Sequence, residues 1–339
     1  MSTPSANDTE SVAVVIPVYQ AEKILPALCK RLDATLSAIT SNYEIILIDD
    51  RSPDGSWSEL KRLAQEYPKI IAVRLSRNFG QHYAITAGLD LVQADWTVVM
   101  DCDLQERPED IPKLLDKART GYDIVLARRI GRKHKLWKRI TSKAYATTFR
   151  WLSGHHMDDN FGSFRVLHRK VVQAFCSMRE RYRLFTGMIE WLGFSTAYVD
   201  SVHAERYEGP SSYNLRSLFR VAFDGIISFS NRPLYISVAL GLVMSTLASA
   251  YAMFLLLEYF RGSNTVAGWR STITATTLIG GLILLNQGII GIYIGRSYNQ
   301  AKGRPIYVVD QIVAHSKSFL ESEKRPEAHG GNLHITNDT

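Results

Sequence analysis

Cysteine is scarce in this sequence, and its few copies are far apart. The 339 residues contain three cysteines, Cys29, Cys102 and Cys176. An odd number without paired spacing predicts neither a disulfide framework nor a cysteine-bound zinc site. The pattern is typical of a protein in a reducing compartment.

The start of the chain also lacks the features of a targeting segment. The first ten residues, MSTPSANDTE, have neither the basic region nor the apolar run of a secretory signal peptide. We therefore predict a flexible N-terminus over 1–10 and a cytosolic location for the large domain that follows it.

Two glycine motifs that bind nucleotide phosphates are missing. Neither G-x-x-x-x-G-K-[ST] nor G-x-G-x-x-G occurs in the sequence. Their absence argues against nucleotide binding by a P-loop and against cofactor binding by a classical Rossmann fold.

Charge is absent from two stretches of 24 residues each, 234–257 and 272–295. As a helix, either stretch is long enough to cross a hydrocarbon core of about 30 Å. We predict two transmembrane helices joined by an extracytoplasmic linker over 258–271. The positive-inside rule places the outer flanks of this pair in the cytosol. The basic residues of those flanks are Arg216, Arg220, Arg232, Arg296, Lys302 and Arg304.

Basic residues are in excess overall, with a net charge of +7. One segment holds a dense cluster of them: Arg128, Arg129, Arg132, Lys133, Lys135, Lys138, Arg139 and Lys143. Nucleic acid and anionic lipid head groups are the two partners that suit such a cluster. Because the same chain carries the apolar stretches, we predict binding to a lipid bilayer and not to nucleic acid.

Two further segments have the pattern of helices at a membrane surface. Residues 137–153 mix aromatic and basic side chains at helical spacing, which is typical of an interfacial amphipathic helix. Ordinary packing of this helix on the rest of the domain is the alternative. Residues 216–232 repeat the pattern, and we predict a juxtamembrane amphipathic helix there.

Apolar runs alternate with helical stretches from Ser11 to Arg129. Strands alternating with helices of about 10–15 residues predict an α/β fold with a doubly wound, mostly parallel sheet. The predicted strands lie in SVAVVIPVYQ, YEIILIDDRSPDGS, IIAVRLS, WTVVMDCD and YDIVLARR. Ligands of such sheets bind beyond the carboxyl ends of the strands. The acid pairs that follow two of the runs should therefore share one cleft.

The acids after the fourth run form a candidate metal site. In a strand, alternate side chains point the same way, so we expect Asp101 and Asp103 to face one point and Cys102 to face the core. These two carboxylates and the amide of Gln105 are hard oxygen ligands, which suit Mg²⁺ or Mn²⁺.

The acids after the second run, Asp49 and Asp50, have several interpretations. They could form a second metal site, or accept hydrogen bonds from a base and a ribose. The structural alternative is that Asp50 caps the turn before Pro53.

These segments together resemble a known family. VVIPVYQAEKILPAL, EIILIDDRSPDGS, DIVLARR, GSFRVLHRKVV and RYEGPSSYNLRSLFRVAFDGIISFS, with the long run from RLSRNFG to PEDIPKLL, are similar to inverting family 2 glycosyltransferases. The resemblance is narrower to polyprenyl-phosphate glycosyltransferases, such as dolichyl-phosphate mannose synthase and bacterial undecaprenyl-phosphate glucosyl and aminoarabinosyl transferases. It runs from about Ser11 to Val309.

The resemblance implies a GT-A fold over 11–215 and a role for each matched residue. A nucleotide sugar, expected to be UDP-linked, would contact Pro17, Tyr19, Glu22, Asp49, Asp50, Arg77, Gln81 and Asp101, with Arg206 in a closing loop that includes Gly209, Ser211 and Tyr213. The divalent ion and the diphosphate would be held by Asp101, Asp103 and Gln105. The phosphate of the lipid acceptor would meet Arg128, Lys138, Arg139 and Ser142. Asp101, Asp103 and Arg128 would carry the catalysis.

The sequence departs from the family pattern at one position. Many relatives have an Asp two residues before the Arg of the G-x-F-R motif, where this chain has Ser163. We hypothesise that no base is needed, because a lipid phosphate is already ionised near pH 7. Asp158, Asp159 or Asn160 could still orient the site.

The resemblance implies sugar transfer from a nucleotide sugar to polyprenyl phosphate by a multi-pass protein of the bacterial plasma membrane. A glycan or glycolipid acceptor is the first alternative, and a membrane-tethered scaffold without activity is the second. The intact Asp50, Asp101 and Asp103 argue against the scaffold. Which sugar is transferred does not follow from these motifs.

The C-terminal part adds three expectations. Residues 296–315 include a strand that could pair between protomers, and the resemblance makes a homo-oligomer, such as a tetramer, plausible. Residues 316–339 are polar and predict a disordered tail.

Overall fold

The computed structural model describes residues 10–130, 161–202, 232–261 and 268–315. The chain forms two compact units. The first contains every described strand, and the second contains two long helices.

The elements up to residue 130 follow the predicted alternation. In chain order they are β1 (Val12–Val18), α1 (Leu25–Ser37), β2 (Tyr43–Asp49), α2 (Ser56–Glu66), β3 (Ile70–Leu75), α3 (Gln81–Leu91), β4 (Trp96–Val99), α4 (Ile111–Arg119) and β5 (Ile124–Ile130). A short 3-10 turn, Pro108–Asp110, precedes α4.

The later elements complete the sheet and add the long helices. They are β6 (Phe161–His168), α5 (Arg169–Ser177), α6 (Phe185–Trp191), β7 (Thr196–Val202), α7 (Arg232–Phe260), α8 (Trp269–Ala301) and β8 (Val309–Ala314). The predicted interfacial helix over 137–153 lies outside the described residues, as do the tail over 316–339, the residues 1–9 and nearly all of the predicted juxtamembrane helix.

The sheet has eight strands in the order β7-β5-β6-β4-β1-β2-β3-β8. Parallel pairs join β4 to β1, β1 to β2, β2 to β3 and β5 to β7, whereas β6 is antiparallel to both of its neighbours. The architecture is therefore α/β with a mixed, mostly parallel sheet, as predicted. Because β6 is antiparallel to both β4 and β5, these two strands point the same way. The carboxyl ends of six strands therefore lie at one edge of the sheet: β1, β2, β3, β4, β5 and β7.

The C-terminal strand is present, and its partner in this structure is within the same chain. β8 runs antiparallel to β3, with Ala72 opposite Val313 and Arg74 opposite Gln311. The pairing that was considered between protomers is thus satisfied here by the chain's own sheet edge. A homo-oligomer stays a prediction.

The core lies between the sheet and the helices on its faces. All seven residues of β1 are buried, as expected for a strand with both faces covered. Helix α1 buries Leu25, Leu28, Leu32 and Leu36, whose spacing of three or four residues places them on one face. Helix α3 packs close to β1, because Gly88 has no side chain: a Cβ there would collide with Cγ1 of Val15.

The second unit contains two helices that are long and apolar enough to cross a bilayer. The windows that meet this description are Leu234–Tyr251 in α7 and Leu278–Ala301, which covers most of α8. Only 6% of the first window and 0% of the second are buried inside the protein. A core helix of a soluble domain would bury such side chains, whereas here Leu242 and Leu284 are each 69% exposed.

Gly88→Ala tests the close approach of α3 to β1. The added methyl group overpacks a filled core, so we expect the free energy of unfolding to fall by about 1–3 kcal/mol. In a Val15→Ala background the colliding Cγ1 is gone, and the same change should be neutral, or stabilising by up to about 1 kcal/mol through helix propensity. Thermal unfolding of the four proteins of this cycle measures both values, and equal effects in both backgrounds would contradict the packing.

Candidate active site

The acids after β4 lie in a loop and not at the tip of the strand. β4 ends at Val99, so the prediction that the strand continues through Asp103 was wrong. Alternation along a strand therefore does not set the directions of Asp101 and Asp103. Cys102 does pack against the core, as expected, and burial raises the pKa of its thiol to about 12.

Asp101 is held by two contacts from different parts of the fold. Its Oδ1 accepts a hydrogen bond of 2.7 Å from Nε2 of Gln81, at the start of α3. Its backbone N–H donates to Oε2 of Glu106 at 2.8 Å. Two residues on, Oδ1 of Asp103 accepts from the backbone N–H of Gln105 at 3.1 Å. The structure thus brings Gln81 and Asp101 together, two residues that the sequence placed at the donor.

The acid pair and Gln105 fit a divalent cation in their chemistry. Among the described residues, no group of three or more His, Cys, Asp or Glu is arranged to hold a metal. A loop with two carboxylates and an amide is instead the kind of partial set to which Mg²⁺ binds, because substrate phosphates and water complete its six positions. The metal assignment stays a prediction.

Glu106 is a residue of this site that the sequence analysis missed. Its side chain is buried, and both oxygens accept backbone hydrogen bonds: Oε2 from Asp101, and Oε1 from Phe164 at 3.3 Å. Glu106 therefore ties the acid loop to β6. No signal in the sequence indicated this, because an acid between Gln105 and Arg107 has the pattern of an exposed turn.

A buried arginine lies next to Phe164 in β6. Arg165 donates to the carbonyl oxygens of Gly162, at 2.9 Å, and Ser163, at 3.2 Å, and its guanidinium lies over the ring of Phe185. Burial lowers its pKa to about 10, while the charges of Glu190, Glu106 and Asp101 act in the opposite direction. Arg165 thus supplies a positive charge behind the acid loop.

Asp50 connects the loop after β2 to the start of α3. Its carboxylate is buried, with Oδ1 accepting from the N–H of Phe79 and Oδ2 from the N–H of Gly80, both at 2.7 Å. Burial raises the pKa of the Asp50 carboxyl, and the two amide hydrogen bonds oppose that rise. Gly80 has a φ of 104°, a conformation that glycine adopts without strain.

Asp49 performs the turn-capping that was considered for Asp50. Its Oδ1 accepts from the N–H of Ser52 at 3.0 Å, three residues on, and its Oδ2 lies 3.4 Å from Nε of Arg74. The side chain is completely buried. Both acids are therefore engaged by the protein, and their contact with a base or ribose stays a prediction.

The two acid sites share one edge of the sheet, as the sequence predicted. Asp50 binds the amide of Gly80, and the next residue, Gln81, binds Asp101. Two hydrogen bonds and one peptide unit thus join the loops that follow β2 and β4.

The other residues proposed for the donor lie around the same loops. Tyr19 follows β1 and is 47% exposed, whereas Pro17 is buried within β1. Glu22 accepts from the N–H of Gly55 at 3.0 Å, which joins the loop after β1 to the loop after β2. Arg77 is exposed, with its guanidinium 4.5 Å from the ring centre of Phe79. Each role in binding a nucleotide stays a prediction.

Arg128, the residue proposed for the acceptor phosphate, is paired with an acid. Its Nε donates to Oδ1 of Asp200 on β7 at 2.6 Å, and the side chains are 52% and 43% exposed. The hydrogen bond from Arg128 lowers the pKa of Asp200. The remaining proposed residues lie outside the described part of the chain: Lys138, Arg139, Ser142, Asp158, Asp159, Asn160, Arg206, Gly209, Ser211 and Tyr213.

Comparison with known proteins shows the family to which the chain belongs. Residues 13–176 match the family described as glycosyl transferase family 2. An uncharacterized glycosyltransferase of Synechocystis, sll0501, is 37% identical over 90% of this chain and 96% of its own length. The chain belongs to glycosyltransferase family 2. The resemblance inferred from the motifs is thereby confirmed, and the sheet is the GT-A-like fold that it implied.

Other relatives of this glycosyltransferase have more specific names. The prophage bactoprenol glucosyl transferase homolog of Escherichia coli is 33% identical, over 89% of this chain and 99% of its own. The undecaprenyl-phosphate 4-deoxy-4-formamido-L-arabinose transferase of Aeromonas hydrophila is 35% identical, over 93% of this chain and 98% of its own.

Similar solved structures are more distant. Glucosyl-3-phosphoglycerate synthase from Mycobacterium tuberculosis, in complex with Mn²⁺ and UDP, is 16% identical with a TM-score of 0.46, over 65% of this chain and 77% of that one. At this degree of likeness, the Mn²⁺ and UDP bound in that structure do not indicate the ligands of this glycosyltransferase.

Glu106→Gln tests whether the buried acid holds the loop. In glutamine an NH₂ group replaces one carboxylate oxygen, so one of the two backbone N–H groups would face a donor and lose its acceptor. We therefore expect the free energy of unfolding to fall by about 1–3 kcal/mol. Thermal unfolding of the purified full-length protein measures this. The matched control is Glu109→Gln, three residues away, because Glu109 is 43% exposed and pairs with Arg31 at the surface. That change should cost about 1 kcal/mol or less. Equal losses would show that Glu106 has no special role.

Proposed function

We propose that this glycosyltransferase moves a sugar from a UDP-linked nucleotide sugar to polyprenyl phosphate, with inversion at the anomeric carbon. The product would be a polyprenyl-phosphate sugar for modification of a cell-envelope glycan or lipopolysaccharide. The observation that carries the proposal is near-full-length similarity to relatives named for bactoprenol and undecaprenyl-phosphate transfer. The partly exposed acids Asp101 and Asp103 and the exposed Arg128, at one edge of the sheet, give that similarity a chemical basis.

The donor side follows from the loops that the buried acids hold. Gln81 and Glu106 fix Asp101. Asp101, Asp103 and Gln105 would hold Mg²⁺ or Mn²⁺, which would neutralise the charge of the diphosphate leaving group. Tyr19 and Arg77 are exposed where a base and its phosphates would enter. Asp49 and Asp50 would form the floor beneath the nucleoside.

The acceptor needs no base in this proposal. A phosphate monoester has a second pKa of about 6, so at pH 7 most of it is a dianion. An unprotonated oxygen attacks C1 of the sugar as the C1–oxygen bond to the diphosphate breaks, and the electron pair leaves with the nucleoside diphosphate. No proton moves, which agrees with Ser163 at a position where many relatives have an acid. Arg128 offers the planar pair of donors that suits a phosphate.

The location follows from the acceptor and from the second unit. A polyprenyl chain is insoluble in water, so its phosphate reaches an enzyme only at a membrane surface. Helices α7 and α8 expose the apolar side chains that a lipid environment would cover. We therefore place the protein in the bacterial plasma membrane with the sheet domain on the cytosolic side.

The direct test is a transfer assay. Membranes containing the protein are incubated with undecaprenyl phosphate, Mg²⁺ and a panel of labelled UDP, GDP and TDP sugars. We expect label from a UDP sugar to enter the lipid fraction, and undecaprenol without phosphate to accept none. No transfer from any donor would overturn the proposal. Transfer to endogenous glycan or glycolipid but not to undecaprenyl phosphate would favour the alternative acceptor.

Asp103→Asn tests the metal assignment separately. Losing one of two carboxylates weakens the charge stabilisation of the leaving diphosphate, so we expect kcat/KM to fall by at least about 100-fold. Asp116→Asn is the control, since Asp116 is 72% exposed on α4, and it should transfer normally. Unimpaired transfer by Asp103→Asn would refute the assignment.

A further inference from the structure

The segment that follows α8 in the chain packs onto the donor side of the sheet domain. We call residues 307–311 the C-terminal latch; they belong to the same compact unit as the sheet. Three of the latch residues, Val309, Asp310 and Gln311, are the first residues of β8, the strand that extends the sheet next to β3. This neighbour matters because the loop after β3 supplies the two amides that bind Asp50.

Two latch contacts reach the loops that flank Asp50. The N–H of Ser76, directly after β3, donates to the carbonyl oxygen of Val308 at 2.9 Å. Nη1 of Arg51, directly after Asp50, donates to Oδ2 of Asp310 at 2.6 Å. Each of the two loops that meet at Asp50 is therefore bound to the latch as well as to the other loop.

Two further contacts anchor the latch in the core. The hydroxyl of Tyr307 donates to Oδ2 of Asp90 at 2.6 Å, and both side chains are buried. Nε1 of Trp57, which is buried in α2, donates to Oε1 of Gln311 at 3.1 Å. The latch is thus fixed at both ends, and the Arg51–Asp310 pair lies between the fixed points.

The backbone of Arg51 indicates what the ion pair does. Arg51 has a φ of 57°, which is unfavourable for a residue with a Cβ. Such a conformation persists only where surrounding contacts maintain it. Asp310 provides one of these contacts, at the residue next to the acid that holds the start of α3.

We propose that Arg51 and Asp310 are positioning residues for the donor: through them, the C-terminal latch sets the loops at Asp50 and Gly80 in the arrangement that binds the nucleotide sugar. The inference rests on the proposed function, because it takes this side of the cleft as the donor site. The competing explanation is that the latch only closes the edge of the sheet.

The experiment compares three variants of the full-length protein in membranes. Asp310→Ala removes one partner, Arg51→Asp replaces the other with an acid that repels Asp310, and the double variant Arg51→Asp with Asp310→Arg restores the pair in reverse. Aspartate tolerates a positive φ better than most residues, so the reversed pair suits position 51. Glu66→Ala is the matched control, because it breaks the exposed 2.6 Å ion pair with Arg62 on α2.

Two readouts are taken for each variant. The first is the KM for the nucleotide sugar and kcat, each at saturating undecaprenyl phosphate. The second is hydrogen–deuterium exchange of the peptides that cover 50–53 and 76–81. Since the pair is about 40% exposed, we expect the single variants to raise the donor KM by about two- to fivefold with little change in kcat. Exchange in both peptides should rise, and the reversed pair should restore both readouts.

The outcomes separate the latch from the proposed function. Unchanged exchange in the single variants would show that the latch does not hold the loops at Asp50 and Gly80, and would overturn the proposal. Raised exchange with an unchanged donor KM would mean that the latch only closes the edge of the sheet, and would overturn the positioning role. If the wild type transfers no sugar from any donor, the proposed function fails, and with it the claim that Arg51 and Asp310 position a donor. The exchange data would still decide whether the latch holds the loops. The same change in donor KM in the Glu66→Ala control would count against the positioning role of Arg51 and Asp310.

Discussion

The candidate site depends on one buried carboxylate and two backbone amides. Removing an acid from water is unfavourable unless its oxygens find donors, and Asp50 finds them in Phe79 and Gly80 at 2.7 Å each. These bonds fix where α3 begins. The first residue of α3, Gln81, can then reach Asp101 across the cleft. The geometry of the loop after β4 is therefore set in part by an acid at the end of β2.

Glu106 repeats the same solution at the other side of the loop. Its two oxygens bind the amides of Asp101 and Phe164, which are far apart in the sequence. The acids of this edge thus divide by burial. Asp49, Asp50 and Glu106 are buried and hold the backbone, whereas the side chains of Asp101 and Asp103 are partly exposed to the cleft. The second group is the one whose carboxylates are accessible from the cleft, so these two side chains can meet a substrate there.

Features that depend on a local pattern could be predicted from the sequence, whereas contacts between distant segments could not. VAVVIPV is apolar along its whole length, and YEIILID has an apolar run from Ile45 to Ile48, so β1 and β2 were found, together with Asp49 and Asp50 at the carboxyl end of β2. The place of β6 between β4 and β5 depends on pairing across distant segments, which no local pattern encodes. Glu106 was missed for the same reason, since its partner Phe164 lies 58 residues away. The acids of the loop after β4 were correctly located, but a strand-based argument for their directions failed because the strand ends at Val99.

The pairing of Arg128 with Asp200 bears on how an acceptor would be received. Both side chains are about half exposed, and ion pairs in such surroundings contribute about 1 kcal/mol or less. A phosphate dianion carries more charge than a carboxylate and offers three acceptor oxygens, so it can replace Asp200 at low cost. Until then, Asp200 holds the guanidinium at the carboxyl end of β5, on the same sheet edge as the acid loop. Under the proposed function, Asp200 therefore keeps Arg128 oriented in the absence of the lipid and gives way when the phosphate arrives.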